Sequence, residues 1–213
     1  MQTILGATGI IGTELAKALP AFTTDIRLVS RNPRPVNPTD TLLAADLTDA
    51  AQTLRAVEGS DTVYLTAGLP YSTKVWREVW PVLMRNVVTA CKTVGARLVF
   101  FSNVYPYGRV DGPMTEDTPV QPASQKGHAR ARVEEMIMEA VGRGELEAMI
   151  VRAADFYGPA TPLSFVNVML FENLAKGKKG QWLVGDQFLH SFSYTPDAGR
   201  ATAVLGNTPS AYN

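Results

Sequence analysis

Two cations one helical turn apart are the first residues in this chain whose spacing could do chemistry. Over residues 124–141, Ala129, Val133, Met136, Ile137, Ala140 and Val141 fall on one arc of a helix turning about 100° per residue. Lys126 and Arg130 fall inside that arc, whereas His128, Arg132, Glu135 and Glu139 fall opposite. Charge on an inward face is costly unless an anion or a cavity meets it. The pair therefore marks a candidate site, with snorkelling or pairing to an acid as the plain alternative. Burial and the neighbouring Arg130 would lower the proton affinity of Lys126. Such a lysine could give a proton to a carbonyl or take one from an alcohol. Ser102 ends an apolar strand over residues 97–102, and Asn103, Tyr105 and Tyr107 follow it. Ligands of open α/β sheets bind outside the C-terminal ends of strands, so these four are candidates by position.

The elements that must carry such a site begin at the first residue. Residues 1–5 form a short apolar run, and Gly6, Gly9 and Gly12 follow at three-residue spacing before a helical pattern of Leu15, Ala16, Ala18 and Leu19. This reads as strand, tight turn, helix. Gly6 allows the turn, Gly9 lets backbone N–H groups approach a pyrophosphate, and Gly12 lets the helix lie close to the strand. The helix N-terminus adds partial positive charge, with Thr8, Ile10 and Ile11 at the same phosphate site.

Residues 26–29 form a second strand ending at Ser30-Arg31, followed by Pro33, Pro35 and Pro38, which preclude regular structure. An acid at this strand end would bind a ribose 2′-hydroxyl and select NAD. Ser30 and Arg31 instead suit a 2′-phosphate, so NADP is expected, with NAD possible. Residues 41–45 form a third strand ending at Asp46-Leu47. Asp46 either bonds the adenine amine or caps a helix starting near Asp49. A fourth strand over 61–66 ends in Thr66-Ala67-Gly68, small residues that suit close approach of a cofactor.

A helix over 73–94 is expected to be interrupted at Pro81. It carries two apolar stripes: Val75, Val79, Val82/Leu83, Asn86 and Ala90, and Trp76, Trp80, Met84, Val87/Val88 and Cys91. One stripe must pack on the sheet. The other, taken as Trp76, Trp80 and Met84, fits a second subunit or lies under a substrate lobe. A sixth strand over 146–151 runs into Arg152-Ala153 and on to Pro159. A helix over 163–175, a Lys/Gly turn over 176–180, strands over 181–184 and 188–192, and a last helix after Pro196-Asp197 complete the pattern. The alternation implies an α/β Rossmann fold, a doubly wound parallel sheet. Residues 1–160 read as the dinucleotide-binding core, and 161–213 as the start of a substrate lobe interleaved with it.

The chain has 213 residues, 46% hydrophobic and 19% charged, and zero formal net charge. That is enough for one α/β domain and offers no nucleic-acid or polybasic membrane surface. A single cysteine, Cys91, excludes an intramolecular disulfide and a cysteine metal site. With no run of about 18 apolar residues and no leader read before the first strand, a cytosolic location is expected. The ending at Ala211-Tyr212-Asn213 suggests a truncated C-terminus.

Taken together, these segments resemble the extended short-chain dehydrogenase/reductase superfamily of the NAD-dependent epimerase/dehydratase type. The resemblance is carried by Gly6-Ala7-Thr8-Gly9-x-x-Gly12, Asp46-Leu47, Asn86, Tyr107-Gly108, Arg152…Phe156-Tyr157-Gly158-Pro159 and the segment from His190 to Asp197. It implies nicotinamide binding, with Asn86, Arg152 and Ala153 among the cofactor residues, and a homodimer through the long helix and the helix after residue 124. It departs at the chemistry, because the family's Tyr-x-x-x-Lys is Lys126-Gly127-His128-Ala129-Arg130 here. Arg130 would take the lysine's place on the nicotinamide ribose, Lys126 the tyrosine's place, and Asn103, with Ser102 before it, the Ser/Thr place. Tyr105 or Tyr107 could serve as the acid instead. Two functions follow: an oxidoreductase or epimerase acting on a small carbonyl, alcohol or nucleotide-sugar-like molecule, or an NADP-binding redox sensor without turnover.

Overall fold

The computed structural model describes residues 1–162, 164–182, 185, 187 and 189–212. Six parallel strands form one sheet: β1 (Gln2–Leu5), β2 (Ile26–Ser30), β3 (Thr41–Ala44), β4 (Thr62–Leu65), β5 (Arg97–Asn103) and β6 (Ala148–Ala153). Their spatial order is β3-β2-β1-β4-β5-β6, which reverses direction between β1 and β4. The crevice at that reversal is where doubly wound sheets take ligands.

Alternation along the strands splits the core in two. Ile4, Leu28, Tyr64, Val99 and Met149 face helices α1 (Ile10–Ala18) and α6 (Thr195–Gly206), meeting Leu15, Ala16, Leu19 and Ala203. Leu5, Val29, Leu65, Leu98 and Phe100 face α2 (Ala50–Val57), α3 (Thr73–Val94) and α4 (Gln125–Gly142). Gly199 makes the α1–α6 contact possible, since a Cβ there would lie 2.6 Å from the Glu14 carbonyl carbon. Residues 195–206 thus pack on α1 of the 1–160 core, within the span that the sequence assigns to a substrate lobe. Between β6 and α6 lie a second, two-stranded parallel sheet of β7 (Asp155–Tyr157) and β8 (Phe192–Tyr194), and a π-wound turn over Asn167–Phe171 that runs into α5 (Glu172–Ala175). Of the strands expected at 181–184 and 188–192, positions 183, 184 and 188 lie outside the described residues. Gln181 and Trp182 are not in a strand.

Two expectations for α3 are corrected. The helix runs unbroken through Pro81. An interior proline costs about 3 kcal/mol. Trp76, Trp80, Leu83, Met84, Val87, Ala90 and Cys91, all buried on one face, offset that cost. The same burial shows that the Trp76-Trp80-Met84 stripe packs on this protomer's own sheet, so it is not a subunit surface. A helix with two apolar stripes does not reveal by periodicity alone which one the sheet takes. No described helix is long and apolar enough to cross a membrane.

Candidate functional site

The glycine turn sits at the sheet's reversal point. Gly6 has φ +92°, and a Cβ on it would lie 2.4 Å from Ala67 Cα. Gly12 would bring a Cβ to 2.6 Å from the Gly6 carbonyl oxygen. These two glycines are required by the chain's own packing. Gly9 is not: its Cβ would meet nothing closer than the Gly6 oxygen at 3.3 Å, and a Cβ on Gly68 would meet nothing within 4 Å. Side chains are missing where a ligand, rather than the protein, would need the room. Thr66 closes the crevice from β4, its hydroxyl near the Leu5 and Gly6 carbonyls. α1 starts at Ile10 with Gly9 as its N-cap and, among the described residues, no side-chain cap bond, so its first N–H groups are free to meet an anion.

Ser30 ends β2 with its hydroxyl oxygen enclosed and without a hydrogen-bond partner among the described residues, and Arg31 beside it is exposed. Asp46 does not cap α2; Asp49 does, accepting from the Gln52 N–H at 2.9 Å. Asp46 accepts instead from the Thr48 N–H and hydroxyl at 2.9 and 2.8 Å. Those bonds, and then the charge of Arg31, hold its carboxyl below the usual range. Asn86 on α3 donates to the Leu47 carbonyl at 3.0 Å, so it fixes the Asp46-Leu47 backbone from below.

At the other end of the crevice α4 begins under the turn that follows β5. Ser124 caps it, accepting from the Gly127 N–H at 3.0 Å. A Cβ on Gly127 would lie 2.7 Å from the Tyr105 carbonyl oxygen, so only glycine lets α4 start there. Lys126 Nζ sits 3.3 Å from the centre of the Tyr71 ring, a cation–π contact. The Tyr71 and Tyr105 hydroxyls are 3.2 Å apart. Tyr71, Thr73, Tyr105, Ser124, Gln125 and Lys126 line a cavity of about 620 Å³. Burial, then the Tyr71 hydrogen bond, then the charge of Asp155 make the Tyr105 proton hard to remove. Asn103 Oδ1 accepts from the Tyr105 N–H at 3.1 Å.

Arg130 is 6% exposed. Its guanidinium lies 4.3 Å from the Trp80 ring centre, 5.0 Å from Trp76 and 5.2 Å from Phe100. Nε and Nη1 are enclosed without a hydrogen-bond partner among the described residues. Burial lowers its pKa to about 10, against the opposing charge of Glu134. An unpaired enclosed guanidinium demands an acceptor oxygen.

Of the expected catalytic residues, Lys126 and Tyr105 line this cavity, whereas Ser102, Asn103, Tyr107 and Arg130 are not among its lining residues. The buried Ser102 hydroxyl donates to Glu134 Oε1 at 2.5 Å. Arg152 donates to Glu134 Oε2 at 2.5 Å and to the Tyr107 hydroxyl at 3.2 Å. A buried carboxylate captures the nearest donors, so Ser102 and Arg152 turn inward to Glu134, and Arg152 in turn holds the Tyr107 hydroxyl. In the sheet register Ser102 and Asn103 stand beside Arg152 and Ala153, so Arg152 anchors the strand end that places Ala153. Glu134 is not among the residues expected from the sequence. Its signal is nevertheless present there: it stands four residues after Arg130 on the same face.

Three comparisons bear on this arrangement. The model of the "NAD dependent epimerase/dehydratase family" matches residues 3–211. A 3beta-hydroxysteroid-dehydrogenase/decarboxylase isoform 2 of Arabidopsis thaliana is 27% identical over 169 residues, 75% of this chain and 29% of that protein. The chain thus spans under a third of that relative's length. In fold it is similar to the Thermus thermophilus UDP-glucose 4-epimerase in complex with NAD (TM-score 0.81, 22% identity, 98% of this chain and 75% of that one). It is likewise similar to Bacillus cereus UDP-glucuronic acid 4-epimerase in complex with UDP-glucuronic acid and NAD (TM-score 0.83, 19% identity, 98% and 74%).

Proposed function

The chain belongs to the NAD dependent epimerase/dehydratase family, and from that premise we propose that it binds a nicotinamide dinucleotide, NADP in preference to NAD, and changes the oxidation state of a carbinol or carbonyl carbon in a small substrate. The reaction is that of an oxidoreductase or of an epimerase/dehydratase. One observation carries the reading: in the crevice at the sheet's reversal, Gly6 and Gly12 serve the chain's own packing, while Gly9 and Gly68 leave open the space a dinucleotide would fill.

The residues present fit that group. Gly6, Thr8, Gly9, Ile10, Ile11 and Gly12 would hold the pyrophosphate against the start of α1. Ser30, with its unpartnered hydroxyl, and Arg31 would take a 2′-phosphate. Asp46 and Leu47, supported by Asn86, would meet the adenine, and Thr66, Ala67 and Gly68 would lie along the middle of the cofactor. Arg130 would give its unpaired nitrogens to the ribose hydroxyls near the nicotinamide, beside Arg152 and Ala153. When bound, the nicotinamide supplies hydride transfer.

The chain's own groups handle the proton. Lys126 stands at the cavity wall, its ammonium steadied on Tyr71; as the ammonium it gives a proton to the substrate oxygen of a carbonyl being reduced, and as the neutral amine it takes one from an alcohol being oxidised. Asn103 keeps its amide N–H₂ for the same oxygen, since only its carbonyl oxygen is engaged. Tyr105 holds its proton tightly and acts as a hydrogen-bond donor. The plant relative is named for a hydroxysteroid and the solved relatives for UDP-sugars; both present a ring alcohol. A homodimer through α3 and α4 would use the outward residues Val75, Val79 and Val82, not the tryptophans.

Turnover of secondary alcohols or ketones by wild type and Lys126→Met tests the reading. The variant is expected to bind cofactor normally and lose turnover at least about a hundredfold. Full turnover in the variant removes Lys126 from the chemistry. Tight cofactor binding with no turnover in wild type supports the alternative, a redox sensor.

A further inference from the structure

Asp155 and His190 form an acid–imidazole pair that the chemistry given to Lys126 and Arg130 does not use. His190 Nε2 lies 2.8 Å from Asp155 Oδ2. The β7–β8 register sets Asp155 beside Phe192, two residues past His190, so the small sheet delivers both. The imidazole stacks on Phe192 with centres 4.6 Å apart, and Phe165 and Trp182 meet it edge-on at 5.8 and 6.0 Å. Both members of the pair are 42% exposed, open to a ligand. Asp155 lies two residues beyond Ala153, the register partner of Asn103, and its charge is felt at the Tyr105 hydroxyl. The pair therefore stands at the same strand ends as the Lys126 cavity.

We propose that Asp155 and His190, with the aromatic wall of Phe165, Trp182 and Phe192, bind the substrate by an uncharged, largely apolar ring bearing a hydroxyl, and turn away a nucleoside diphosphate. The inference rests on the oxidoreductase reading and narrows its substrate class. Asp155 accepts the Nε2–H and so fixes the tautomer, leaving Nδ1 as acceptor for a hydroxyl. Nδ1 has no partner among the described residues. The aromatic faces favour apolar ring contact. A diphosphate would need cations here. Those placed at these strand ends have other work: Arg152 is held by Glu134 and Tyr107, Lys126 rests on the Tyr71 ring, and Arg130, enclosed under Trp76 and Trp80 on α4, is given to the cofactor ribose. The Asp155 carboxylate adds like-charge repulsion.

Tryptophan fluorescence can follow titration with two probes, decahydro-2-naphthol (a neutral secondary alcohol) and uridine diphosphate, with and without NADPH. Wild type is expected to bind the alcohol at least tenfold more tightly than the diphosphate, with a signal that Trp182→Phe removes. His190→Leu should weaken the alcohol at least tenfold while nicotinamide fluorescence reports unchanged NADPH affinity. Asp155→Asn should strengthen uridine diphosphate several-fold, a gain that a misfolded variant cannot give. Tighter binding of the diphosphate, binding of neither probe, or an unchanged alcohol affinity in His190→Leu overturns the proposal. Loss of NADPH binding in wild type would strike the cofactor reading instead, and the probe titrations without NADPH still decide this one.

Discussion

Glu134 on α4 and Arg152 on β6 face each other at 2.5 Å, with Ser102 closing the other carboxylate oxygen. This buried contact joins the helix that carries Lys126 and Arg130 to the strand ends that carry Asn103 and Ala153. Glu134 is 5% exposed and Arg152 21%, so removing Glu134 leaves a largely enclosed guanidinium without its carboxylate and the buried Ser102 hydroxyl without its acceptor. Glu134→Ala is therefore expected to cost about 3–5 kcal/mol of stability in urea unfolding. Glu134→Gln, which keeps a hydrogen-bonding carbonyl, should cost less. Equal, near-zero losses in both would show that the pair does not hold α4 in place.

The three glycines of the turn should separate by function. Gly6→Ala and Gly12→Ala place a Cβ 2.4 Å and 2.6 Å from backbone atoms, so thermal melting should show strong destabilisation. Gly9→Ala needs only a slight shift against the Gly6 oxygen and should melt near wild type. Its NADPH affinity should nevertheless fall at least about tenfold, as a methyl group enters the phosphate seat. Normal binding by Gly9→Ala would remove the turn from cofactor recognition.

Ser30→Asp installs a carboxylate where a 2′-phosphate is expected. NADPH affinity should drop at least about tenfold and NADH affinity rise, since the acid can bond a ribose 2′-hydroxyl. Parallel loss of both affinities would contradict the assignment of Ser30.

Cys91 is fully buried, and burial pushes its thiol up to about 12. An unfolded thiol titrates near about 8.5. Below that pH both states keep the proton and the contribution is complete. Between it and about 12 only the unfolded state releases the proton, so stability falls as pH rises. Melting temperature should decline from about pH 9 upward, and less steeply in Cys91→Ala. The folded protein at pH 8 should resist thiol reagents that label it in denaturant.

The fold was legible because its signals are local and periodic. Gly6, Gly9 and Gly12 punctuate the first strand and helix, and the apolar runs at Ile26, Thr62, Arg97 and Ala148 read as buried parallel strands. The site was only partly legible. Helical spacing brought Lys126 and Arg130 to one face, and one more step of four residues would have reached Glu134 and with it the inward turn of Ser102. The orientation of α3 was not available from spacing, because either of its apolar stripes satisfies a sheet. Asp155 and His190 are 35 residues apart and meet only through the β7–β8 pairing. No local pattern announces such a contact.

The most direct measurement is titration of the wild-type protein with NADPH and with NADH, followed by nicotinamide fluorescence. Tight NADPH binding with weaker NADH binding is the predicted result. It would support the glycine turn, Ser30 and Arg31 together. Binding of neither dinucleotide would contradict the central claim and leave the open space at Gly9 and Gly68 without a ligand.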